Sequence, residues 1–453
     1  MLSAFLIAAP HSGSGKTTVS LALMAALKAR RLRVQAFKVG PDYIDPAHHA
    51  VLTGRPSHNL DTWMLAAEAN RRIFEAATCD ADVTITEGVM GLFDGVDGRR
   101  PEGSSAHLAR LLGLPVVLVV DARSMARSAA ALVFGFTRFE PELRFAGVIW
   151  NRVGSPSHRR ILDEALDAAR LPPSLGAIPR DEGATLPERH LGLVTPEDVN
   201  LDEGFAEKLS RLAEDHVDLD ALLAATTLPQ IPSAPSTGGT EDRSRGAGRL
   251  PLAVARDAAF CFYYEENLKI LERAGAEVVL FRPVEGDGIP PGVRGLYLGG
   301  GYPEVHAERL ARNEAFRAAV RDLHERKVPI YAECGGFMAL CREVEDLDGR
   351  RHPMAGIYPT VARISDRGFR LGYRQVEVRG LPDMGGLVAR GHEFHYSSID
   401  PMPEDVPRAY AVCNARGEAL PAEGYLSGRT LGGYIHLHFA SNPELPRRFF
   451  GLA

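Results

Sequence analysis

Tyr331-Ala332-Glu333-Cys334-Gly335-Gly336-Phe337-Met338 places a cysteine between an apolar run and a pair of glycines. The run that begins at Val328 predicts a β-strand, and the glycines predict a tight turn that opens a helix. A cysteine on such an elbow projects above the sheet at a helix N-terminus, where the helix dipole lowers the pKa of a thiol and the next backbone N–H can hold an oxyanion. The stretch therefore predicts an α/β domain with Cys334 as its nucleophile.

A candidate base for this thiol lies far along the chain, in Gly433-Tyr434-Ile435-His436-Leu437-His438-Phe439. Alternate residues of a strand share a face, so His436 and His438 are expected on the same side. A cysteine and a histidine that only the fold brings together are typical of acyl transfer through a thioester, with His436 as the base. The alternative is an ordinary buried thiol, and the elbow together with the histidine segment favours catalysis over it.

Two further segments complete a family pattern: Leu298-Gly299-Gly300-Gly301-Tyr302-Pro303-Glu304 and Gly391-His392-Glu393-Phe394-His395-Tyr396-Ser397. With the elbow, they make residues 251–453 resemble the class I glutamine amidotransferases, in the branch fused to cobyrinate a,c-diamide synthases. The resemblance implies that Gly300, Gly301 and Gly335 bind glutamine and that the glycine loop completes an oxyanion hole. The usual His-x-Glu ending of the class is absent, because Phe439 follows His438, so the residue that orients His436 is open.

The composition favours a cytoplasmic enzyme. A length of 453 residues makes two domains the default, and 45% apolar residues are normal for a globular protein. The net charge of −6 argues against nucleic acid as a partner, and no stretch is long and apolar enough for a membrane span. The five cysteines are odd in number and scattered, which favours a reducing compartment: Cys79, Cys261, Cys334, Cys341 and Cys413. We expect small-molecule substrates, and a homodimer is left open.

The chain divides at a segment rich in Pro, Ser, Thr and Gly, which gives a first domain at 1–225, a linker at 226–250 and a second domain at 251–453. Continuous apolar strands that alternate with helices predict a doubly wound, mostly parallel sheet in the first domain. Its predicted strands are Ala4–Ala9, Arg33–Phe37, Val83–Thr86, Pro115–Val120, Phe145–Trp150 and Leu175–Ile178. Its predicted helices are Lys16–Arg30, Ala66–Ala77, Ser104–Leu112, Ser124–Phe139, Ser157–Ala169 and Leu201–Leu223.

Pro10-His11-Ser12-Gly13-Ser14-Gly15-Lys16-Thr17-Thr18 follows the first predicted strand and opens a helix, which is the context of a phosphate-binding loop. Backbone N–H groups of such a loop surround phosphates at the positive end of the helix. Lys16 would contact the β and γ oxygens of ATP, and the Thr17 hydroxyl would bind Mg²⁺. The predicted nucleotide-binding residues are Gly13, Ser14, Gly15, Lys16, Thr17 and Thr18.

Acidic residues cluster where predicted strands end, in Lys38–Pro46, Thr86–Gly95 and Asp121–Arg123. Ligand sites of α/β proteins form at the carboxyl ends of strands. Glu87 holds the place of a Walker-B carboxylate, and Asp42 and Glu87 are predicted to hold Mg²⁺ with Thr17. The alternative for these carboxylates is a solvated loop, and for Glu87 the buried strand before it favours function.

Residues 1–200 are similar to the dethiobiotin-synthetase-like branch of P-loop enzymes, which phosphorylate a carboxylate so that a nitrogen can attack it. Lys38–Pro46, Asn59-Leu60-Asp61-Thr62 and Glu87–Gly95 resemble segments of the cobyrinate a,c-diamide synthases. The resemblance implies that Asn151 contacts the base of the nucleotide. It also implies roles in substrate binding and activation for Asp42, Tyr43, Ile44, Glu87 and Asp94.

The two resemblances together imply an ATP- and glutamine-dependent amidation, on the a and c acetates of cobyrinate in cobalamin biosynthesis. The same chemistry on hydrogenobyrinate or on nickel sirohydrochlorin is an alternative. A P-loop regulatory ATPase fused to a degenerate amidase-like binding module is an alternative of a different class, and the presence of Cys334 and His436 argues against it.

Overall fold

The structure is a computed structural model that describes residues 2–180, 203–228, 248–364 and 370–452. The chain forms two compact units, residues 1–237 and 238–453. Of the predicted linker, residues 229–247 lie outside the described part of the chain. Its first residues belong to the first unit, because Thr227–Leu228 pair with the first strand and Thr226 hydrogen-bonds Ser3.

The first unit is built from alternating strands and helices, as predicted. Its strands are β1 (Leu2–Ala8), β2 (Val34–Val39), β3 (His58–Leu60), β4 (Val83–Glu87), β5 (Val116–Asp121), β6 (Phe145–Val153), β7 (Ser174–Pro179) and β8 (Thr227–Leu228). Its helices are α1 (Lys16–Ala29), α2 (Ile44–Thr53), α3 (Ala67–Thr78), α4 (Ser105–Leu112), α5 (Ser128–Phe139), α6 (Pro156–Ala169), α7 (Glu203–His216) and α8 (Leu219–Ala225).

The sheet of the first unit has the order β3-β2-β4-β1-β5-β6-β7, with parallel pairing throughout this path, and β8 pairs antiparallel with β1. Strands β1, β2 and β4 are buried along their whole length, because helices cover both faces of a parallel sheet. The register places Glu87 opposite Ile7 on one side and Lys38 on the other. The segments that follow these three strands therefore meet at one edge of the sheet.

The second unit is also α/β, so the predicted fold class is confirmed for both halves of the chain. Its strands are β9 (Leu250–Ala255), β10 (Ala276–Phe281), β11 (Gly295–Leu298), β12 (Ile330–Glu333), β13 (Cys341–Glu345), β14 (Arg351–Pro353), β15 (Tyr358–Ile364), β16 (Arg370–Val378), β17 (Val388–His395), β18 (Ser397–Ile399), β19 (Arg408–Asn414), β20 (Ala419–Ser427), β21 (Thr430–Gly433) and β22 (His436–Leu437). Its helices are α9 (Glu265–Arg273), α10 (Ala307–Arg312), α11 (Glu314–Glu325), α12 (Gly335–Leu340) and α13 (Glu444–Phe450).

The larger sheet of the second unit has the order β10-β9-β11-β12-β21-β20-β19-β16-β17-β22. It is parallel from β10 to β21 and antiparallel beyond, and β13, β14, β15 and β18 form a separate small sheet. Glu333 at the end of β12 lies opposite Gly433, and His436 lies opposite His392 of β17. The segment from Gly433 to His436 therefore runs from the nucleophile's strand to the predicted base.

Three helices differ from the prediction. Helix α2 was not predicted. Residues 303–326, which their apolar pattern predicts to be one helix, form two helices, since Asn313 accepts a hydrogen bond from Phe316 N and begins α11. The predicted helix Leu201–Leu223 is also divided, because Asp218 accepts from Ala221 N and begins α8, and its first two residues lie outside the described ranges. In both cases the apolar pattern runs on without a break and predicts one helix, but a capping side chain ends the first helix and begins a second one.

Candidate active sites

The phosphate-binding loop joins β1 to α1, and its glycines are required by geometry. Gly13 and Gly15 have φ angles of 80° and 92°, the left-handed region that favours glycine. A Cβ on Gly15 would lie 2.1 Å from Nδ2 of Asn151, which donates a hydrogen bond to the Ser14 carbonyl at 2.9 Å. Asn151 therefore lies against the loop, and its amide helps to fix the loop's shape. Ser14, in the loop, is fully buried. Thr18, in the first turn of α1, is half-buried.

Lys16 and Thr17 begin α1 and contact the segment that follows β4. The Lys16 ammonium donates to the Met90 carbonyl at 2.5 Å, and the Thr17 hydroxyl donates to Oε1 of Glu87 at 2.7 Å. Burial, assisted by the positive charge of Lys38, lowers the pKa of Lys16 to about 8. The structure thus brings together the predicted phosphate ligand, Lys16, and two predicted metal ligands, Thr17 and Glu87.

Glu87 is the centre of a buried charged cluster that the sequence did not predict. Lys38 donates to Asp45 at 2.6 Å and to Oε1 of Glu87 at 2.9 Å, and His49 lies 2.9 Å from Oε2 of Glu87. Burial raises the pKa of Glu87 and is the largest single influence on it, but the Lys38 ammonium and the His49 ring together outweigh it, and the net shift is downward. The pKa of Lys38 is raised: burial lowers it, and the charges of Asp45 and Glu87 more than compensate. Both charges are therefore retained inside the protein, as buried ions require.

The remaining residues predicted for this site occupy two places. Asp42 caps α2, since its Oδ1 accepts from Ile44 N at 2.8 Å and from Asp45 N at 3.1 Å. Tyr43 and Ile44 are largely buried at the start of the same helix. Asp94 is exposed and accepts from Gly91 N at 2.8 Å, and its negative charge acts on Lys16. Asp42 therefore has a structural function that the sequence analysis did not foresee.

The donor set fits a small hard cation bound together with phosphates. The Thr17 hydroxyl oxygen and the Glu87 carboxylate oxygen Oε1 lie 2.7 Å apart, and Glu87 keeps its negative charge although it is buried. No group of three His, Cys, Asp or Glu side chains suited to a metal occurs among the described residues. Mg²⁺ is usually held by one or two carboxylates with substrate phosphates, and this pair of oxygens meets that requirement.

Cys334 occupies the predicted elbow between β12 and α12. Its φ of 47° and ψ of −106° are strained for a residue with a side chain, and such strain concentrates at functional sites. Its N–H donates to the Gly433 carbonyl at 2.7 Å, and its Sγ lies 4.0 Å from the Phe394 carbonyl. A Cβ on Gly336 would lie 2.3 Å from the Leu298 carbonyl, so the turn into α12 requires glycine there.

The electrostatics of the thiol contradict the expectation from the helix dipole. Burial and the negative charge of Glu304 raise the pKa of Cys334 above its ordinary value, and the Gly335 N–H only partly offsets them. Helix α12 has six residues, and the cysteine is almost fully buried. Loss of hydration penalises a thiolate more than one short helix end stabilises it. In this structure the thiol is therefore held protonated.

The glycine loop after β11 lies between the elbow and the predicted base. A Cβ on Gly335 would lie 3.0 Å from Gly301 N, and a Cβ on Gly300 would lie 2.4 Å from Cε1 of His436. Gly301 has a φ of 149°, and a Cβ there would lie 2.3 Å from the Ala259 carbonyl. The loop can approach both partners because it carries no side chains at these positions.

His436 is fully buried in β22, and Glu333 links this strand to the elbow. Oε1 of Glu333 accepts from Leu437 N at 2.9 Å, and its Oε2 lies 4.0 Å from Nδ1 of His436. The ring stacks on His392 at 5.0 Å. Burial, assisted by His395, lowers the pKa of His436 to about 3, so the imidazole is neutral, which is the form a general base requires before it acts. Glu333 is thus a candidate for the orienting role that the missing His-x-Glu ending left open.

The contacts of the His438 ring are structural, since they hold neighbouring parts of the fold. Its ring stacks on Tyr264 at 4.4 Å, and its Nδ1 accepts from Ala440 N at 3.3 Å. The Tyr264 hydroxyl lies 2.9 Å from Nδ1 of His392, whose ring stacks on His436. The two predicted histidines therefore border the same aromatic cluster, and His436 is the one that borders Gly300.

Sequence reasoning missed Lys38, Glu304 and Glu333 as candidate site residues. One signal for Lys38 was present, since a lysine inside the apolar strand β2 needs a buried carboxylate partner. Glu333 directly precedes the nucleophile in an otherwise apolar strand, which is a similar signal. Glu304 carries no such signal, because a loop brings it to its site.

In the part of the chain that the structure describes, no helix combines the length and apolar character that crossing a membrane requires.

Comparison with known proteins gives matches in both units. A family model described as the CobB/CobQ-like glutamine amidotransferase domain matches residues 251–444. A second, described as the CobQ/CobB/MinD/ParA nucleotide binding domain, matches residues 5–194.

Two relatives match over almost their whole length. The protein named cobyrinate a,c-diamide synthase from Syntrophotalea carbinolica is 44% identical, over 98% of this chain and 97% of the relative. The protein of the same name from Priestia megaterium is 41% identical, over 97% of this chain and 95% of the relative. A solved structure described as a glutamine amidotransferase covers 44% of this chain and 97% of its own, at 20% identity and a TM-score of 0.33.

Proposed function

Since the chain belongs to the family of the cobyrinate a,c-diamide synthases, we propose that it converts the a and c acetate carboxylates of cobyrinate to amides. Membership makes it a glutamine-hydrolysing ligase that uses ATP, with a place in cobalamin synthesis. The choice of cobyrinate as the tetrapyrrole rests on the name of the family, whereas the amidation chemistry also rests on the residues of the two sites.

In the proposal, the first unit activates the carboxylate. A carboxylate oxygen of the substrate attacks the γ-phosphorus of ATP, ADP leaves, and an acyl phosphate remains. Lys16 carries the positive charge that the transferring phosphoryl group requires, and Asp94 lies near it. Glu87 and Thr17 would hold Mg²⁺, which when bound neutralises charge on the phosphates. Tyr43, Ile44 and Asp42 would line the substrate side, next to the Lys38 cluster.

The second unit supplies the nitrogen. Cys334 loses its proton to His436 and attacks the amide carbon of glutamine, and the backbone N–H groups of Gly301 and Gly335, which lie next to each other, would hold the developing oxyanion. The proton passes from the imidazole to the departing nitrogen, so that neutral ammonia leaves. Water then releases glutamate from the thioester. At the first unit the ammonia attacks the acyl carbon and phosphate departs, which completes one amide per ATP.

The observation that carries the proposal is the strained Cys334 elbow beside a glycine loop that also contacts His436, in the same chain as a phosphate-binding loop. A regulatory ATPase with a degenerate binding module would have no use for a strained cysteine with a neighbouring base. Mg²⁺ as the metal, a cytoplasmic location and a homodimer are further proposals; the location rests on the odd number and scattered positions of the five cysteines.

Mass spectrometry of the products tests the substrate. The full chain is offered cobyrinate, hydrogenobyrinate or nickel sirohydrochlorin in turn, with ATP, Mg²⁺ and glutamine. The proposal predicts two mass decreases of about 1 Da each on cobyrinate, one for each acid converted to an amide, with ATP required. Faster amidation of either other ring would reassign the substrate, and no amidation of any ring would contradict the proposed reaction.

A further inference from the structure

Glu304 ends the glycine loop of the second unit and lies close to the nucleophile's turn. The preceding Pro303 places its Cδ 2.8 Å from the position of a Cβ on Gly335, the residue after Cys334. Glu304 is 5% exposed, and burial raises the pKa of its carboxyl to about 7. The negative charge of Glu304 acts directly on the thiol, and among the charged groups its effect on the pKa of Cys334 is the largest.

Two other buried carboxylates near this site have several partners each. Glu333 accepts from two tyrosine hydroxyls and from Leu437 N, and Glu393 pairs with Arg374 and His395. Within the described residues, no lysine, arginine or histidine forms an ion pair with Glu304. A buried carboxylate without a cation is costly, and the cost is removed either by protonation, which the raised pKa of Glu304 favours, or by a cation that reaches the carboxylate when substrate binds.

We propose that Glu304 binds the α-ammonium group of glutamine and thereby selects this amino acid for the thiol. Glutamine carries its ammonium and its reactive amide on one short chain, so a carboxylate beside the nucleophile can hold the first while Cys334 attacks the second. The inference rests on the glutamine hydrolysis of the proposed function.

The same contact couples substrate binding to activation of the thiol. Without substrate, the Glu304 charge holds the pKa of Cys334 high, which protects the thiol from adventitious reaction. An ammonium beside Glu304 cancels that charge, and proton transfer from the thiol to His436 becomes easier. The alternative is that Glu304 only shapes the loop, with its carboxyl bound to its own backbone N–H.

A comparison of glutamine with 4-carbamoylbutanoate tests the inference on the unmodified enzyme. This analogue keeps the amide, the chain and the carboxylate of glutamine and lacks only the α-amino group. Removing a charged hydrogen-bonding group from a buried site should lower kcat/KM by about a hundredfold. Equal kcat/KM values for the two amides would overturn the inference. Absence of ammonia release from either amide would instead refute the proposed function.

The Glu304→Gln variant tests the residue itself, with Glu308→Gln as the matched control, since Glu308 is exposed and pairs with Arg312. We expect kcat/KM for glutamine to fall by about a hundredfold in Glu304→Gln, and kcat/KM for the analogue to change by less than about threefold. Alkylation of Cys334 by iodoacetamide without substrate, followed by mass spectrometry of its peptide, should become faster. The control should match the unmodified enzyme in all three assays.

An unchanged preference for glutamine in Glu304→Gln, or an equal loss with both amides, would overturn the assignment. Should this variant not fold, Glu304→Asp keeps the charge on a shorter side chain. It is expected to raise KM for glutamine by about tenfold with kcat nearly unchanged. An unchanged KM in Glu304→Asp would also overturn the assignment.

Discussion

In the phosphate-loop unit, the Lys38 ammonium lies 2.6 Å from Asp45 and 2.9 Å from Glu87, whereas in the other unit burial drives Cys334 and His436 towards their neutral forms. The first site handles phosphates and a carboxylate, so fixed charges are already in place before the reaction begins. The second site handles an uncharged amide, and its thiol stays protonated until a base and a substrate act on it. Buried groups therefore stay charged in the first site, because they pair with each other, and stay neutral in the second site.

The largest expected loss of activity follows from replacing Cys334, in the site whose groups are neutral. Cys334→Ser keeps the elbow but replaces the thiol with a hydroxyl that ionises far less readily. Glutamine hydrolysis should fall by at least about a thousandfold, as expected for loss of a nucleophile. Ammonia release measured beside a Cys413→Ser control, which lies on β19, checks this. Comparable hydrolysis by both variants would remove Cys334 from the mechanism.

Lys16→Ala tests the phosphate-binding loop of the first unit, in the site whose groups are charged. Loss of one positive contact to the transferring phosphoryl group commonly costs about 3 kcal/mol in the transition state, so ATP-dependent amidation should slow by at least about a hundredfold. Lys28→Ala is the matched control, because Lys28 lies exposed in the last turn of the same helix. The measurement is product formation under saturating ammonium, which bypasses the second unit. Near-normal turnover of Lys16→Ala would refute the phosphate-loop assignment.

Glu87→Gln tests whether the charged cluster works as a unit. An amide is uncharged and has one acceptor oxygen, so it cannot balance the Lys38 ammonium, and its NH2 group must face either Thr17 and Lys38 or His49. We expect a loss of about thirtyfold in ATP-dependent amidation and a higher Mg²⁺ requirement. A titration of activity against Mg²⁺ measures both. An unchanged Mg²⁺ dependence would mean that Glu87 positions Lys38 and His49 and does not contact the metal.

Gly300→Ala tests the approach of the glycine loop to the base. The added Cβ would lie 2.4 Å from Cε1 of His436, so either the ring or the loop must shift. Misplacement of a catalytic group commonly lowers the rate by about tenfold or more. Glutaminase kcat is the quantity to measure. Gly288→Ala is the control, since a Cβ there meets no atom within 4 Å. Equal rates for the two variants would show that the approach of the glycine loop to His436 is not needed for glutamine hydrolysis.

The smallest effect is expected for His438→Ala. This ring stacks on Tyr264 and holds a backbone turn, so its loss should lower glutaminase kcat by only about threefold, through small shifts of its neighbours. His436→Ala, in the same assay, should approach the loss seen for Cys334→Ser. The reverse order of the two histidines would show that His438 is the base.

The sequence predicts both nucleophile and phosphate loop because each depends on local chain geometry. Glycines at defined positions between a strand and a helix mark Gly15 and the turn after Cys334 without knowledge of the rest of the fold. The Lys38 cluster is different, because its partners lie on another strand and on a helix that was not predicted. The sign of the thiol pKa shift also could not be predicted, since burial is a property of the tertiary structure.

The central claim is that carboxylate activation and ammonia release are separate functions of one chain, and ammonium rescue of Cys334→Ser tests it most directly. The variant is assayed for amide formation with ATP and either glutamine or concentrated ammonium at mildly alkaline pH, where neutral ammonia is available. The account predicts no product with glutamine, near-normal product with ammonium, and none with ammonium when ATP is omitted. Failure of ammonium to restore product in a folded variant that still binds ATP would contradict it.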